Sequence, residues 1–145
     1  MKSLRRDDPA WVDTILDWKW TWLIARTAMV GIFVVSGIMK LLKFSDAKVE
    51  QEAVGLHPAA FWAALTISVE LIGPALVISG RLVWLGAGAL AVFTALSAFL
   101  AHAFWTMQGD ARFMAMNIFL EHVGLIGGFV MTALVAEHAK REGRY

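Results

Sequence analysis

Four long apolar stretches, separated by short polar ones, dominate the pattern of the chain. They cover roughly residues 20–42, 59–78, 82–103 and 114–136. Each is close to the ~20 residues that an α-helix needs to cross a bilayer. None shows the alternation of a strand, and only helices or closed barrels satisfy their backbone hydrogen bonds in lipid. The pattern therefore predicts an all-α protein, a bundle of four transmembrane helices.

The polar ends complete the predicted organisation, with a head at residues 1–19 and a tail at residues 137–145. In the head, Asp8 is a favourable N-cap and Pro9 a favourable first helical residue. Three apolar residues then recur at helical spacing: Trp11, Ile15 and Trp18. We therefore expect an amphipathic helix over Pro9–Lys19, lying along the membrane surface. The alternative is a charged tail without a helix, because so short a helix is marginal alone.

The positive charges predict how the bundle is oriented. Cytoplasmic loops carry an excess of Lys and Arg. If both termini are cytoplasmic, eight of the Lys and Arg residues outside the spans lie inside, and only three, Lys43, Lys48 and Arg112, lie outside. We therefore expect cytoplasmic termini. The second and third spans are separated by little more than Ser79–Arg81, which predicts an antiparallel hairpin. The outer link Lys43–Pro58 is long enough for one or two helical turns.

The composition limits the classes of function. The chain is 59% hydrophobic and 17% charged, whereas soluble domains carry about a quarter charged residues. The net charge of +1 does not favour nucleic acid as a partner. The chain contains no cysteine, which excludes disulfides and thiolate metal sites, and its methionines have no metal-like spacing. The first apolar run is too long for a cleavable signal peptide, so we expect it to be retained.

Polar and ionisable residues inside the spans are the candidate site residues. Such groups are costly at membrane depth and are functional candidates for that reason. Each lies on a helical stripe that also contains small residues, and small residues mark helix–helix contacts in membranes. We therefore expect these side chains to face the interior of the bundle. The seven candidates are Arg26, Lys40, Glu70, His102, Asn117, Glu121 and His122.

Depth along the spans predicts which of these residues meet. At about 1.5 Å per residue, Arg26 lies about 9 Å and Glu70 about 12 Å from the inner boundary, which predicts an ion pair. That pair could be structural or functional, and both interpretations stay open. The others lie nearer the outer boundary and are expected to form an outer cluster with Glu121 as its carboxylate: Lys40, His102, Asn117 and Glu121.

The histidines have other expected roles. His122 lies about 100° around the helix from Glu121, so it faces a neighbouring helix, a partner or lipid headgroups. A haem held by His102 and His122 is disfavoured, because their predicted depths differ by about 10 Å. His57 is expected at the interface, with a ligand role as the alternative. His138 is expected at the surface.

Several short motifs, in a fixed order, resemble those of the DoxX family of small four-helix membrane proteins. They are Ala25-Arg26, Ser36-Gly37-Ile38-Met39-Lys40, Gly55-Leu56-His57-Pro58, Glu70, His102-Ala103-Phe104-Trp105, Gly109-Asp110-Ala111-Arg112-Phe113 and Leu125-Ile126-Gly127-Gly128. One departure concerns the fourth span, where relatives often carry Lys-Asn and this chain has Glu121-His122. The charge is reversed there, so a role assigned to that lysine does not transfer.

The resemblance implies a fold and a set of possible functions. Relatives are associated with quinone-linked respiratory enzymes, sulfur oxidation, oxidative-stress complexes and membrane-protein assembly. The preferred hypothesis is an inner-membrane subunit of a quinone-linked redox complex, in which Glu70, His102 and Glu121 provide hydrogen bonds and a proton route. No cofactor motif is visible, so electrons would come from partner redox subunits. The alternatives are a non-catalytic assembly or scaffold protein, as a homo-oligomer or with partners, and a small carrier for lipids or metabolites.

Overall fold

The computed structural model describes residues 9–142, and within this range the chain contains helices and no strands. The helices are α1 (Ala10–Leu16), α2 (Thr21–Leu42), α3 (Phe44–Ala53), α4 (Ala59–Ser79), α5 (Val83–Ala101) and α6 (Gly109–Arg141), with a 3₁₀ turn at Phe104–Thr106 between the last two. Four of them, α2, α4, α5 and α6, are long and apolar enough to cross a membrane. The predicted all-α fold with four transmembrane helices is confirmed.

The head and the outer link differ in detail from their predictions. α1 begins at Ala10, so Pro9 occupies the N-cap position, and the predicted N-cap residue Asp8 lies outside the described residues. No residue of α1 is buried, and its place on the membrane surface stays a prediction, as does the cytoplasmic location of the termini. In the outer link, α3 has 10 residues, longer than one or two turns, and buries Ala47 and Gln51.

The transmembrane helices pack in the order α2, α4, α5, α6, and small residues bring their backbones together. A Cβ on Gly37 would lie 2.8 Å from the Leu71 side chain, and one on Gly86 would lie 2.6 Å from the carbonyl oxygen of Gly73. Phe33 and Phe129, whose ring centroids are 5.6 Å apart, join α2 to α6. The core consists of Val30, Phe33, Val77, Ala87, Leu90 and Phe129.

The ends of the helices are not level. The side of the bundle that carries α3 is named the outer side, as in the predicted orientation, and its location in the cell stays a prediction. Gly37 lies against the side chains of Glu70 and Leu71, and α2 runs antiparallel to α4. The last residue of α2, Leu42, is therefore level with about residue 65 of α4, roughly 9 Å short of the outer end of that helix. At the inner end, α2 begins beyond the end of α4 by a similar distance. α2 is thus shifted inward, and α3 packs against α4 on the outer side.

α6 extends past α5 on the outer side. The ring of His122 lies against the ring of His102, at the C-terminal end of α5, with centroids 5.1 Å apart. Phe119, about one turn before His122, still contacts Phe99 of α5, with ring centroids 5.4 Å apart. The part of α6 that precedes Phe119 therefore projects about 15 Å beyond α5. Aromatic residues of the connecting turn cover part of this projection, since Phe104 and Trp105 both contact Phe119.

Candidate functional site

Glu70 is a carboxylate buried in the middle of the bundle, with only 3% of its surface exposed. Its Oε1 accepts hydrogen bonds from Lys40 Nζ at 2.9 Å and from Ser36 Oγ at 3.1 Å. Lys40 Nζ also donates to Ser36 Oγ at 3.1 Å. The three groups form a closed triangle between α2 and α4. A buried charge needs an opposite charge and hydrogen bonds, and Oε1 receives both here.

The sequence of α2 builds one side of this site. Ser36 and Lys40 are four residues apart, so they lie one above the other on the same face of the helix. Gly37 lies between them, where a side chain would collide with Glu70 and Leu71. Lys40 also lies 3.7 Å from Glu50 on α3, whose side chain is 58% exposed. The lysine therefore connects the buried carboxylate to the outer rim of the protein.

Two hydroxyl or carboxyl oxygens in this part of the bundle lack partners. Among the described residues, Glu70 Oε2 and Thr94 Oγ1 are the buried side-chain oxygen atoms without a hydrogen bond. Pro74 lies four residues after Glu70 within α4. Because proline has no N–H, the backbone carbonyl of Glu70 does not receive the hydrogen bond that an α-helix normally makes there. Glu70 therefore has one carboxylate oxygen without a hydrogen bond and a backbone carbonyl without its usual helical one.

The predicted Arg26–Glu70 ion pair is wrong. Arg26 is buried, but its Nη1 donates to the carbonyl oxygen of Val77 at 3.2 Å, and its guanidinium lies over the ring of Trp22, 5.3 Å from the centroid. It sits at the C-terminal end of α4, beside Gly80. A cation is favourable there, because the last carbonyls of a helix are unpaired and carry partial negative charge. Arg26 therefore caps a neighbouring helix.

Arg26 and Glu70 do not meet because the spans do not begin and end at equal heights. Since α2 is shifted inward relative to α4, Arg26 is level with the end of α4 and Lys40 is brought closer to the level of Glu70. The long side chain of Lys40 covers the remaining distance. Rise per residue fixes the height of a backbone atom within its own helix, but the height of one helix against another depends on packing.

His102 and His122 are brought together, contrary to the predicted difference in depth. Their rings are 5.1 Å apart and tilted by 59°, so the expected difference in height, for which a shared haem was disfavoured, is not found. His122 Nδ1 lies 2.7 Å from the carbonyl oxygen of Ile118. A carbonyl only accepts hydrogen bonds, so Nδ1 carries the proton and Nε2 of a neutral His122 is left as an acceptor. His122 faces a neighbouring helix, one of its predicted alternatives.

The predicted outer cluster does not form. Lys40 turns to Glu70, and Asn117 and Glu121 are exposed on the outside of α6. Exposed apolar residues lie on both sides of Glu121, from Phe113 to Val135. Only a small fraction of α6 is buried, about a tenth of its most apolar part. Of the small residues on the same stripe, Gly124 has nothing within 4 Å, whereas Gly128, a turn further along, packs against Met29 of α2.

Two polar residues are not among the seven candidates from the sequence: Ser36, which bonds to Glu70, and Thr94, which is buried on α5. Ser36 was visible as part of the motif that ends in Lys40, four residues later. Thr94 lies four residues from Leu90 and from Ala98, both buried on the inner face of α5. A hydroxyl at that spacing in an apolar span was the available signal. His138 is exposed, as expected for a surface residue. His57 is exposed as well, and its place at the membrane interface stays a prediction.

Neither a metal cluster nor an apolar groove between α5 and α6 competes with this site. The described residues contain no group of three or more His, Cys, Asp or Glu side chains placed to hold a metal ion. A groove of about 180 Å³ between α5 and α6 is apolar, and neither Glu70 nor Lys40 lines it. The Lys40–Glu70 pair is therefore the candidate functional site.

Comparison with known proteins agrees with the fold and with the motifs around this pair. The chain is 27% identical to the inner membrane protein YphA of Escherichia coli (strain K12) over 117 residues, which covers 81% of this chain and 84% of YphA. No solved structure matches the chain. The sequence profile of the DoxX family matches residues 21–103, which include Ser36, Lys40, Glu70 and Thr94. That match covers more than half of the sequence, and the chain therefore belongs to the DoxX family and is a multi-pass protein of the inner membrane.

Proposed function

We propose that the chain is a membrane subunit of a quinone-linked redox complex, and that Lys40 and Glu70 form the protonatable part of its quinone site. One observation carries the proposal. Glu70 is buried at mid-membrane with one carboxylate oxygen bonded to an ammonium and a hydroxyl group, and the other without a partner. A structural ion pair alone would favour a fully bonded carboxylate, because unsatisfied buried polar groups are costly.

The chemistry of quinones matches these groups. Each carbonyl of a quinone that is reduced to a hydroxyl gains a proton together with an electron. A side chain that provides this proton has to lie within hydrogen-bond reach of the carbonyl. Lys40 and Ser36 are donors, and Glu70 can accept and release a proton. Lys40 also connects the site to Glu50 at the rim, which supports a route for proton exchange with the outer side.

Electrons would come from a partner subunit. The chain has no cysteine to hold an iron–sulfur cluster, and the proposed role of this chain is to bind and protonate the quinone. The isoprenoid tail of the quinone would remain in the surrounding lipid.

Purification from native membranes tests the proposal. The protein is extracted in mild detergent, its bound quinone is quantified per polypeptide, and co-purifying proteins are identified by mass spectrometry. We expect bound quinone and a redox enzyme with the wild type, and at least a tenfold loss of quinone with Glu70→Gln and with Lys40→Met. Glu121→Gln is the matched control, since it neutralises an exposed carboxylate of the same bundle, and it should retain quinone.

Two results would contradict this function. The first is a wild-type protein that carries neither quinone nor a redox partner. The second is equal quinone content in Glu70→Gln and the wild type.

A non-catalytic assembly role is the second candidate, and the outward face of α6 favours it. Asn117 and Glu121 are exposed there among apolar residues, where polar groups can hydrogen-bond to a helix of another protein. In that case the double variant Asn117→Leu/Glu121→Leu should lose co-purifying proteins, whereas Glu70→Gln keeps them. Loss of the co-purifying proteins in Glu70→Gln, together with their retention in the double variant, would support the quinone site.

A further inference from the structure

Thr94 carries a buried hydroxyl group with an unused hydrogen-bonding capacity. It is 1% exposed, and its Oγ1 has no partner among the described residues. In a helix, a Ser or Thr hydroxyl commonly donates to the carbonyl four residues earlier. Thr132 does so to Gly128 at 2.9 Å, and Ser68 does so to Ala64 at 2.8 Å. Thr94 does not, so its hydroxyl is available to another group.

The packing of α4 against α5 places Thr94 at the level of Glu70. Gly73 lies against Leu90, where an added Cβ would be 2.9 Å from the leucine side chain. The two helices are antiparallel. One turn towards the outer side therefore leads from Gly73 to Glu70 on α4 and from Leu90 to Thr94 on α5. The two unpartnered oxygens thus lie on facing turns of adjacent helices.

These two atoms are complementary to one chemical group. A carboxylate oxygen only accepts hydrogen bonds, whereas a threonine hydroxyl donates one and accepts others. We propose that Glu70 Oε2 and Thr94 Oγ1 bind a single hydroxyl group between α4 and α5. That hydroxyl donates to Glu70 Oε2 and accepts from Thr94. A carbonyl oxygen would satisfy Thr94 but leave Glu70 Oε2 without a donor.

Two sources can provide this hydroxyl group. One is an internal water molecule, since buried waters bridge polar atoms that lack other partners. The other is an alcohol or phenol of a ligand. For this ligand arm, which rests on the proposed quinone function, the site is selective for the quinol over the quinone. The water arm is independent of that function.

Infrared spectroscopy of ligand-free protein tests the water arm. A water held by Glu70 and Thr94 gives an O–H stretching band that shifts between H₂¹⁶O and H₂¹⁸O. We expect the band in the wild type and in Thr94→Ser, which keeps the hydroxyl, and its loss in Thr94→Val, which keeps the shape. Thr132→Val is the matched control, because its hydroxyl is already bonded to Gly128. It should retain the band.

Binding of a short-chain ubiquinol and of the matching ubiquinone tests the ligand arm. Each is titrated into protein in lipid nanodiscs, and tryptophan fluorescence reports the Kd. We expect the wild type to bind the quinol at least tenfold more tightly than the quinone, because a hydrogen bond to a charged group is involved. Thr94→Val should weaken quinol binding about tenfold, and Thr132→Val should leave it unchanged.

The outcomes separate the two proposals. Loss of the water band in Thr94→Val without any quinol or quinone binding would support the hydroxyl site and contradict the quinone function. Persistence of the band in Thr94→Val would overturn the hydroxyl site, whatever the quinol titration shows. Tighter binding of the quinone than of the quinol by the wild type would overturn its selectivity for a hydroxyl.

Discussion

Glu70 and Glu121 are both carboxylates on apolar helices, each on a stripe with small residues, yet their environments are opposite. Glu70 is buried, and Lys40 and Ser36 bond to it. Glu121 is exposed on the face of α6 that points away from the bundle. The difference shows that a stripe of small residues identifies a face on which a helix can be approached closely. Such a stripe does not show whether the group that approaches it belongs to the same chain.

Breaking the buried pair should have the largest effect on stability. Lys40→Met leaves the Glu70 charge without its cation and should lower the free energy of unfolding by about 3–5 kcal/mol. The double variant Lys40→Met/Glu70→Leu should recover most of that loss, because no isolated charge remains. Unfolding in detergent, followed by circular dichroism, measures both. For Arg26→Met/Glu70→Leu, whose residues do not pair, the single losses should add.

Arg26 extends the comparison to a charge that pairs with backbone. Arg26→Met removes the hydrogen bond to the Val77 carbonyl and should cost about 1.5–3 kcal/mol, measured by the same unfolding assay. Arg26→Lys should recover part of the loss, since it restores a cation at the end of α4. Full recovery of Arg26→Met by a second change at Glu70 would show that the two residues are coupled after all.

Two glycines of α5, Gly86 and Gly88, show the same contrast between a buried and an open position, without a charge. Gly86→Ala would place a methyl group 2.6 Å from the carbonyl oxygen of Gly73, so α4 and α5 must separate. We expect a loss of about 1–3 kcal/mol, measured as a lower midpoint of thermal unfolding. Gly88, two residues later on the same helix, has nothing within 4 Å. Gly88→Ala should be neutral or slightly stabilising, and a comparable loss there would mean that its face is covered.

Neutralising Glu121 should have the smallest effect on the isolated protein. Glu121→Gln removes no contact within the described chain and should change the free energy of unfolding by no more than about 0.5 kcal/mol. Unfolding at several protein concentrations provides the check. A larger loss that depends on concentration would indicate that a second molecule covers the face.

The sequence was sufficient for the architecture, because apolar length and short polar links determine four membrane helices. It also identified Lys40 and Glu70 as candidates, because charges are rare in such helices. It could not pair them. Their contact depends on the inward shift of α2, which arises from how Gly37 packs against Glu70 and Leu71, and no periodicity within one helix encodes that shift.

The outward direction of Glu121 was not predictable for a related reason. The stripes of α5 and α6 contain small residues on more than one side. On α5, Gly86 is buried against α4 whereas Gly88 is open. Choosing between such faces requires the neighbouring helix. Thr94 was not predicted for the same reason. Its hydroxyl becomes significant only because it lies at the level of Glu70 on the adjacent helix.

The unequal lengths of α5 and α6 make the apolar rim of the protein uneven in thickness. On α5 the exposed large apolar residues run from Trp84 to Leu100, a height of about 24 Å, and on α6 they run from Phe113 to Val135, about 33 Å. A bilayer core of about 30 Å is too thick for one side and too thin for the other. Lipids must therefore thin beside α5 and stretch beside α6, or the molecule must tilt. Where the molecule does not tilt, the bilayer around it is deformed asymmetrically, and the thickness of the bilayer then acts on the packing of α5 against α6.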